Sequence, residues 1–400
     1  MSVREKLTEA VADLEVISTH EHHQVDAFFR EMSLEKILEN SYVSWCGVPC
    51  GTSEAEHRRF LDQVRHNTYY VWLEKSLREL YGFEGSICAE NWESISRRIT
   101  ETHGKNPDRH LEILRRRCRY SAAVQDSTDD PGSDRGHPDL FKPTYRINMF
   151  LYGYHPEAAD HNGNNPLVKY AERPSTFAEY LEFVEGCVTR ARIGGCVALK
   201  SALAYDRSVS VGEPRRSEAE RAWGRHPEEV SETEKTAFGD YVFNHLMKVA
   251  WKLEMPVQVH LGLARLRDSD PVKFIPVLER HRRVSFDLFH GGYPWTSVMG
   301  GIGHQYHSAW LDVCWLPLIS TNAAIRALSE WLDTSTSCER IVWGGDAWTS
   351  EESYGALLAM RAVLVEVLAS RIERELTDFD GACELAGQIL QDNALALFRL

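Results

Sequence analysis

Residues 257–290, VQVHLGLARLRDSDPVKFIPVLERHRRVSFDLFH, decide the fold. They open on a β-branched apolar run, VQVHLGL (257–263), and close on another, VSFDLFH (284–290). Both runs are short, and several such runs along the chain are apolar on both faces, as parallel strands buried from two sides are. Between them, PVKFIPVLERHRR repeats its apolar residues at spacings of three and four, the signature of a helix with one buried stripe. The unit is strand, helix, strand.

The same alternation extends outward in both directions. Strands are expected at LEVISTH (14–20), YSAAVQ (120–125), TYRINMF (144–150) and GCVALKS (195–201), then beyond the opening unit at AWLDVCW (309–315) and RIVWGGD (340–346). Amphipathic stretches such as FAEYLEFVEGCVTRAR, AFGDYVFNHLMKVAWKL, NAAIRALSEWLDT and SYGALLAMRAVLVEVLASR fall between them. Eight strands alternating with helices is the count of a closed α/β barrel, so we read residues 1–400 as one (β/α)₈ TIM-barrel domain. Two excursions interrupt it. Residues 24–117 form a helical insertion after strand one, expected beside the barrel mouth because loops leaving C-terminal strand ends lie there. The charge-dense stretch 207–236 is either a lid carrying Trp223 or a solvated loop.

Forty-five basic against 59 acidic residues leave a net charge of −14, which phosphate backbones and anionic lipid repel. Nucleic acid and membranes are therefore not the expected partners; a small molecule is. No apolar run reaches the ~18–20 residues of a membrane helix. The N-terminal MSVREKLTEA reads as an amphipathic helix rather than a signal peptide. Nine scattered cysteines point to reduced thiols and a cytoplasmic location, with Cys46 and Cys50 read as turn thiols rather than zinc ligands. Self-association is compatible with this size and composition, but no interface is legible.

The chemistry lies at the C-terminal strand ends. Strand one ends in THEHH, where His20 and His22, two apart, point to one face and can grip one metal. Strand four carries Lys200, strand five His260, strand six ends at His290 and strand eight at Asp346. Singly, each has an ordinary structural explanation: a core histidine, a paired lysine, a helix cap. Together they fall on the functional rim of one barrel, which chance does not explain.

This order of residues resembles the amidohydrolase superfamily of metal-dependent (β/α)₈ barrels. GCVALKSALAYDR, PVQVHLGLA, LFHGGYPW and VWGGDAW are similar to its amidohydrolase-related branch, which includes the amidohydrolase half of fungal glutamine-synthetase fusion proteins. A second resemblance is to uronate isomerases, through the long first insertion, STDDP (127–131) and PTYR (143–146). Lys200 and a histidine ending strand six belong to the hydrolase pattern.

The resemblance implies that His20, His22 and Asp346 hold the more buried metal, with His260 completing a one-metal site. With Lys200 carboxylated by carbon dioxide, a second metal would sit against His260 and His290; an uncarboxylated ammonium would instead orient an anionic substrate. One or two divalent ions per chain are expected, Zn²⁺ first, with Mn²⁺, Fe²⁺ or Ni²⁺ compatible. The implied reaction is metal-assisted hydrolysis of a C–N, C–O or lactone bond in a small, polar, anionic substrate, with sugar-acid isomerisation or decarboxylation as alternatives. In hydrolysis Asp346 would accept the water proton, His290 would help polarise the carbonyl, and Lys200 would complete the catalytic set. Arg146, expected at the start of strand three, and Tyr205 and Arg207 after Lys200 are the substrate-binding candidates. Trp295 and Trp348 are expected to pack the rim, and His23 to be structural.

Overall fold

The apolar runs pair edge to edge in chain order. The computed structural model describes residues 1–400. Eight strands lie parallel in the order in which the chain makes them. They are β1 Val16–Glu21, β2 Tyr120–Gln125, β3 Phe141–Arg146, β4 Ala198–Ser201, β5 Val257–Val259, β6 Phe286–Leu288, β7 Ala309–Asp312 and β8 Ile341–Val342. The barrel closes just beyond β8, where the Thr19 N–H donates to the Trp343 carbonyl at 3.1 Å and the Asp346 N–H to the His20 carbonyl at 2.8 Å. The small residues of VWGGD permit that approach: a Cβ on Gly344 would lie 2.5 Å from Thr19 Oγ1.

Helices cover the outside. Among them are Phe177–Ile193, Glu232–Lys252, Thr321–Thr334 and Ser350–Glu373. Each starts where a hydroxyl can take an orphan amide: Thr176, Ser231, Ser320 and Thr349 accept from backbone N–H groups of the first turn. No helix is long and apolar enough to cross a membrane.

Strand three differs from expectation. It runs over FKPTYR, and residues 148–152 turn into a short 3₁₀ helix instead of continuing it. Pro143 is tolerated because its carbonyl still accepts from Val197 N–H at 2.9 Å. Arg146 therefore stands at the end of β3, facing the mouth, and not at its start.

Between β1 and β2 the chain forms the helices Leu34–Glu39, Glu54–Val64, Thr68–Tyr81 and Trp92–Lys105. They bury a core of their own around Phe29, Ile37, Phe60, Leu77, Trp92 and Ile99. Cys50 lies in that core, and Cys46 packs on it. A buried polar tie fastens this layer to the barrel. Glu351, in the first turn of Ser350–Glu373, accepts from Tyr81 Oη at 2.5 Å and from His103 Nε2 at 2.9 Å. Burial opposes its ionisation, yet these hydrogen bonds and the His103 charge hold its carboxyl down at about 2.

The stretch 207–236 is no lid over the mouth. Trp223 packs on the outer helices, with ring centroids 5.1 Å from Tyr180, 6.1 Å from Phe177 and 6.4 Å from Phe238. Its aromatic surface is used there, away from the strand ends.

Candidate metal centre

The C-terminal strand ends enclose a cavity of about 460 Å³, and His20, His22, Lys200, His260, His290 and Asp346 all line it. The backbone arranges them at some strain. His290 and Asp346 adopt positive φ, 62° and 57°, as does Trp315 at 60° just past β7. All three lie just beyond strand ends, where left-handed backbone is uncommon for bulky or charged residues.

The imidazole hydrogen bonds assign the protons. His260 Nε2 lies 2.7 Å from the Leu263 carbonyl, and His290 Nδ1 lies 3.2 Å from that of Cys314. A carbonyl only accepts, so each of these nitrogens carries the ring proton. Burial, the neighbouring His290 and Lys200 push His260 well below its ordinary range; burial and Lys200 do the same to His290. Burial thus favours the neutral form of both rings. Yet His260 Nδ1 and His290 Nε2, the two unprotonated nitrogens, face each other at 3.0 Å. Two lone pairs in contact repel unless a cation lies against both. Ligands about 2.1 Å from one ion stand at about this separation when they subtend a right angle.

The strand-one pair has the same character. His22 Nδ1 lies 2.9 Å from the Asp126 carbonyl, which turns Nε2 toward Asp346 Oδ1 at 3.1 Å. His20 is buried with neither ring nitrogen hydrogen-bonded, and its Nε2 sits 3.7 Å from both Asp346 Oδ1 and Asp126 Oδ2. Burial, then Lys200, drives its pKa well below the ordinary value. A neutral, unpartnered imidazole among carboxylates costs energy unless a ligand uses its lone pair. The donor set fits a divalent ion of the kind that imidazole and carboxylate bind.

Lys200 is buried, with Nζ 3.5 Å from the Phe289 ring centroid. Burial lowers its amine to about 8, against the raising pull of Asp126 and Asp346. Arg146 is also buried and forms a two-pronged pair with the Asp126 carboxylate. It reaches the cavity with much of its charge already met. Tyr205 lines the cavity too, its ring 4.5 Å from that of His260.

Arg207 does not join them. The helical turn Leu203–Asp206 rotates it to the outer wall, where it pairs with Asp240 and reaches the Ser210 carbonyl at 3.2 Å. His23 is buried and structural, with Nε2 3.1 Å from Ser353 Oγ and its ring stacked 5.4 Å from Phe141. Trp348 lines the cavity, whereas Trp295 does not.

Several site residues were not read from the sequence. Tyr42, from the insertion, donates its hydroxyl to Asp346 Oδ2 at 2.8 Å. Trp45, Gln24, Asn40, Arg135 and His161 also reach the cavity. Asp126 immediately follows β2, and that position at a strand end was its legible signal.

The sequence profile of the amidohydrolase family matches residues 124–400, more than half of the chain. The chain belongs to the amidohydrolase family. Over 151 residues this amidohydrolase is 27% identical to Protein fluG of Emericella nidulans, a match covering 36% of the chain and 17% of that relative. It thus spans a minor part of the relative's length. Its fold is similar to a uronate isomerase of Thermotoga maritima, at 17% identity, TM-score 0.78, and coverage of 99% of this chain and 97% of that one. A glucuronate isomerase of Caulobacter crescentus matches at 15% identity and TM-score 0.75, covering 99% and 94%. A candidate metal-dependent hydrolase of Lactobacillus casei matches at 16% identity and TM-score 0.73, covering 98% and 97%.

Proposed function

We propose that this amidohydrolase is a metal-dependent hydrolase of small, polar, anionic substrates, cleaving a C–N, C–O or lactone bond. The observation that carries the reading is the approach of His260 Nδ1 to His290 Nε2 at 3.0 Å, set beside Lys200. It adds a second group of ligands to His20, His22 and Asp346. A divalent ion there, Zn²⁺ first, would supply a Lewis acid that brings the pKa of water toward neutrality.

The chain's own groups would do the rest. Asp346 Oδ2, held by the Tyr42 hydroxyl, accepts the proton of the attacking water and returns it to the leaving group. Arg146, steadied by Asp126, and Tyr205 orient the substrate's carboxylate, while Trp45 and Trp348 give the mouth an apolar wall. Lys200, with its amine at about 8, has an appreciable neutral fraction at neutral pH, the form that carbon dioxide carboxylates. The nine unpaired cysteines support a cytoplasmic location.

A second reading, sugar-acid isomerisation, is favoured by one observation: PTYR delivers Arg146 to the cavity, and the loop carrying STDDP brings in Arg135, two guanidinium groups for a sugar carboxylate. The test is turnover in ¹⁸O-labelled water of a panel of small amides, lactones, esters and uronic acids. Hydrolysis places label in the new carboxyl group. Conversion of a uronic acid to a ketose without any hydrolytic product would replace the first reading by the second.

A further inference from the structure

A second group of metal-competent side chains stands apart from the barrel centre. Asp26 begins the short 3₁₀ helix Asp26–Glu31 at the entrance to the insertion, and His110 lies on the helical turn Arg109–Glu112 at its exit. His137 is on the loop from β2 to β3. All three converge. Asp26 Oδ1 lies 2.8 Å from His137 Nε2 and 3.2 Å from His110 Nε2, and the three atoms lie within 4.8 Å of one another.

We propose that Asp26, His110 and His137 form a second divalent-metal site, which pins the insertion to the β2–β3 connection. Three features support it. Each ligand comes from a different segment, so the cluster is not an accident of local sequence. The carboxylate has no lysine or arginine partner; the two imidazoles are its only ion-pair neighbours. The site is also half open. The His110 side chain is 2% exposed and its ring stacks 4.3 Å from Phe29, whereas Asp26 is 47% exposed. The buried ring is fixed in direction, and water can fill the remaining coordination positions. Two imidazole nitrogens with one carboxylate oxygen select a borderline transition ion such as Zn²⁺ over Ca²⁺ or Mg²⁺, which prefer oxygen. A tetrahedral ion with ligands at about 2.1 Å would separate them by about 3.4 Å, close to the 2.8 and 3.2 Å between Asp26 and the two imidazoles.

The site has a structural consequence. Gln24, two residues before Asp26, and Arg135, two before His137, both line the catalytic cavity. Arg135 Nε also donates to the His23 carbonyl at 3.0 Å. An ion bound here would hold that wall of the mouth together.

The test uses full-length protein stripped of metal. Zn²⁺ is titrated against a chromophoric chelator into wild type, Asp26→Asn and His137→Gln, and thermal unfolding is followed with and without Zn²⁺. Neither substitution alters a residue of the barrel centre, so the difference in stoichiometry between the proteins reports this site. The Asp26→Asn side chain keeps an oxygen that can accept a hydrogen bond, and the two variants check one another; circular dichroism of the metal-free proteins establishes that each is folded. Each variant is expected to bind one equivalent fewer than wild type and to lose part of the Zn²⁺-induced rise in Tm. Equal stoichiometry and an equal rise in all three would overturn the proposal and leave the cluster as a hydrogen-bonded triad.

Discussion

Glu351 offers a stability test with a magnitude and a sign. Its carboxylate joins Tyr81 and His103 of the insertion to the helix that follows β8, and both members of the His103 pair are fully buried. Held at about 2 against an ordinary 4.5, it stabilises the folded protein at neutral pH by about 3 kcal/mol, at about 1.4 kcal/mol per tenfold. A carboxyl depressed by folding contributes fully above its unfolded value. The contribution is lost as pH falls from 4.5 through about 2. Glu351→Gln keeps the shape and removes the charge. Urea unfolding of both metal-free proteins should show a gap of about 3 kcal/mol at pH 7, shrinking to about 1 kcal/mol at pH 3. Absence of a gap at pH 7 would refute the tie. A gap of the same size at pH 3 would show that the difference does not come from the depressed titration of this carboxyl.

Tyr42→Phe removes the hydroxyl that orients Asp346, and kcat should fall about 10- to 100-fold with metal content unchanged, read by steady-state kinetics beside elemental analysis. Arg207→Ala should leave KM within about twofold of wild type and cost about 1 kcal/mol in chemical unfolding, because the side chain pairs with Asp240 on the outer wall. Arg146→Ala strands the buried Asp126 carboxylate and should destabilise the protein by about 3–5 kcal/mol. Arg146→Lys should recover only part of that loss, since an ammonium cannot match the two-pronged pair.

The residues legible in the sequence share one property: strand geometry dictates their position. His20 and His22 share a face because they are two apart on a strand, and His260, His290 and Asp346 follow their strands in an order that barrel closure turns into a ring. Arg207 shows where nearness in sequence misleads. Just past β4, one turn of helix is enough to carry it from the mouth to the wall. β3 starts before Pro143 rather than after it, because a missing N–H matters only where the ladder needs a donor. Tyr42 and Trp45 were beyond sequence reasoning, since they reach the cavity only through the way the insertion's helices pack and lean back over the barrel.

The most direct test is turnover by chelator-treated protein, reloaded with Zn²⁺ in bicarbonate, on a panel of small amides, lactones and esters of carboxylic acids, with Asp346→Asn in parallel. Activity should vanish with the metal, return with Zn²⁺, and stay absent in the variant while the variant still folds. Hydrolysis that persists without metal, or an Asp346→Asn protein as active as wild type, would contradict the centre built from His20, His22, Lys200, His260, His290 and Asp346.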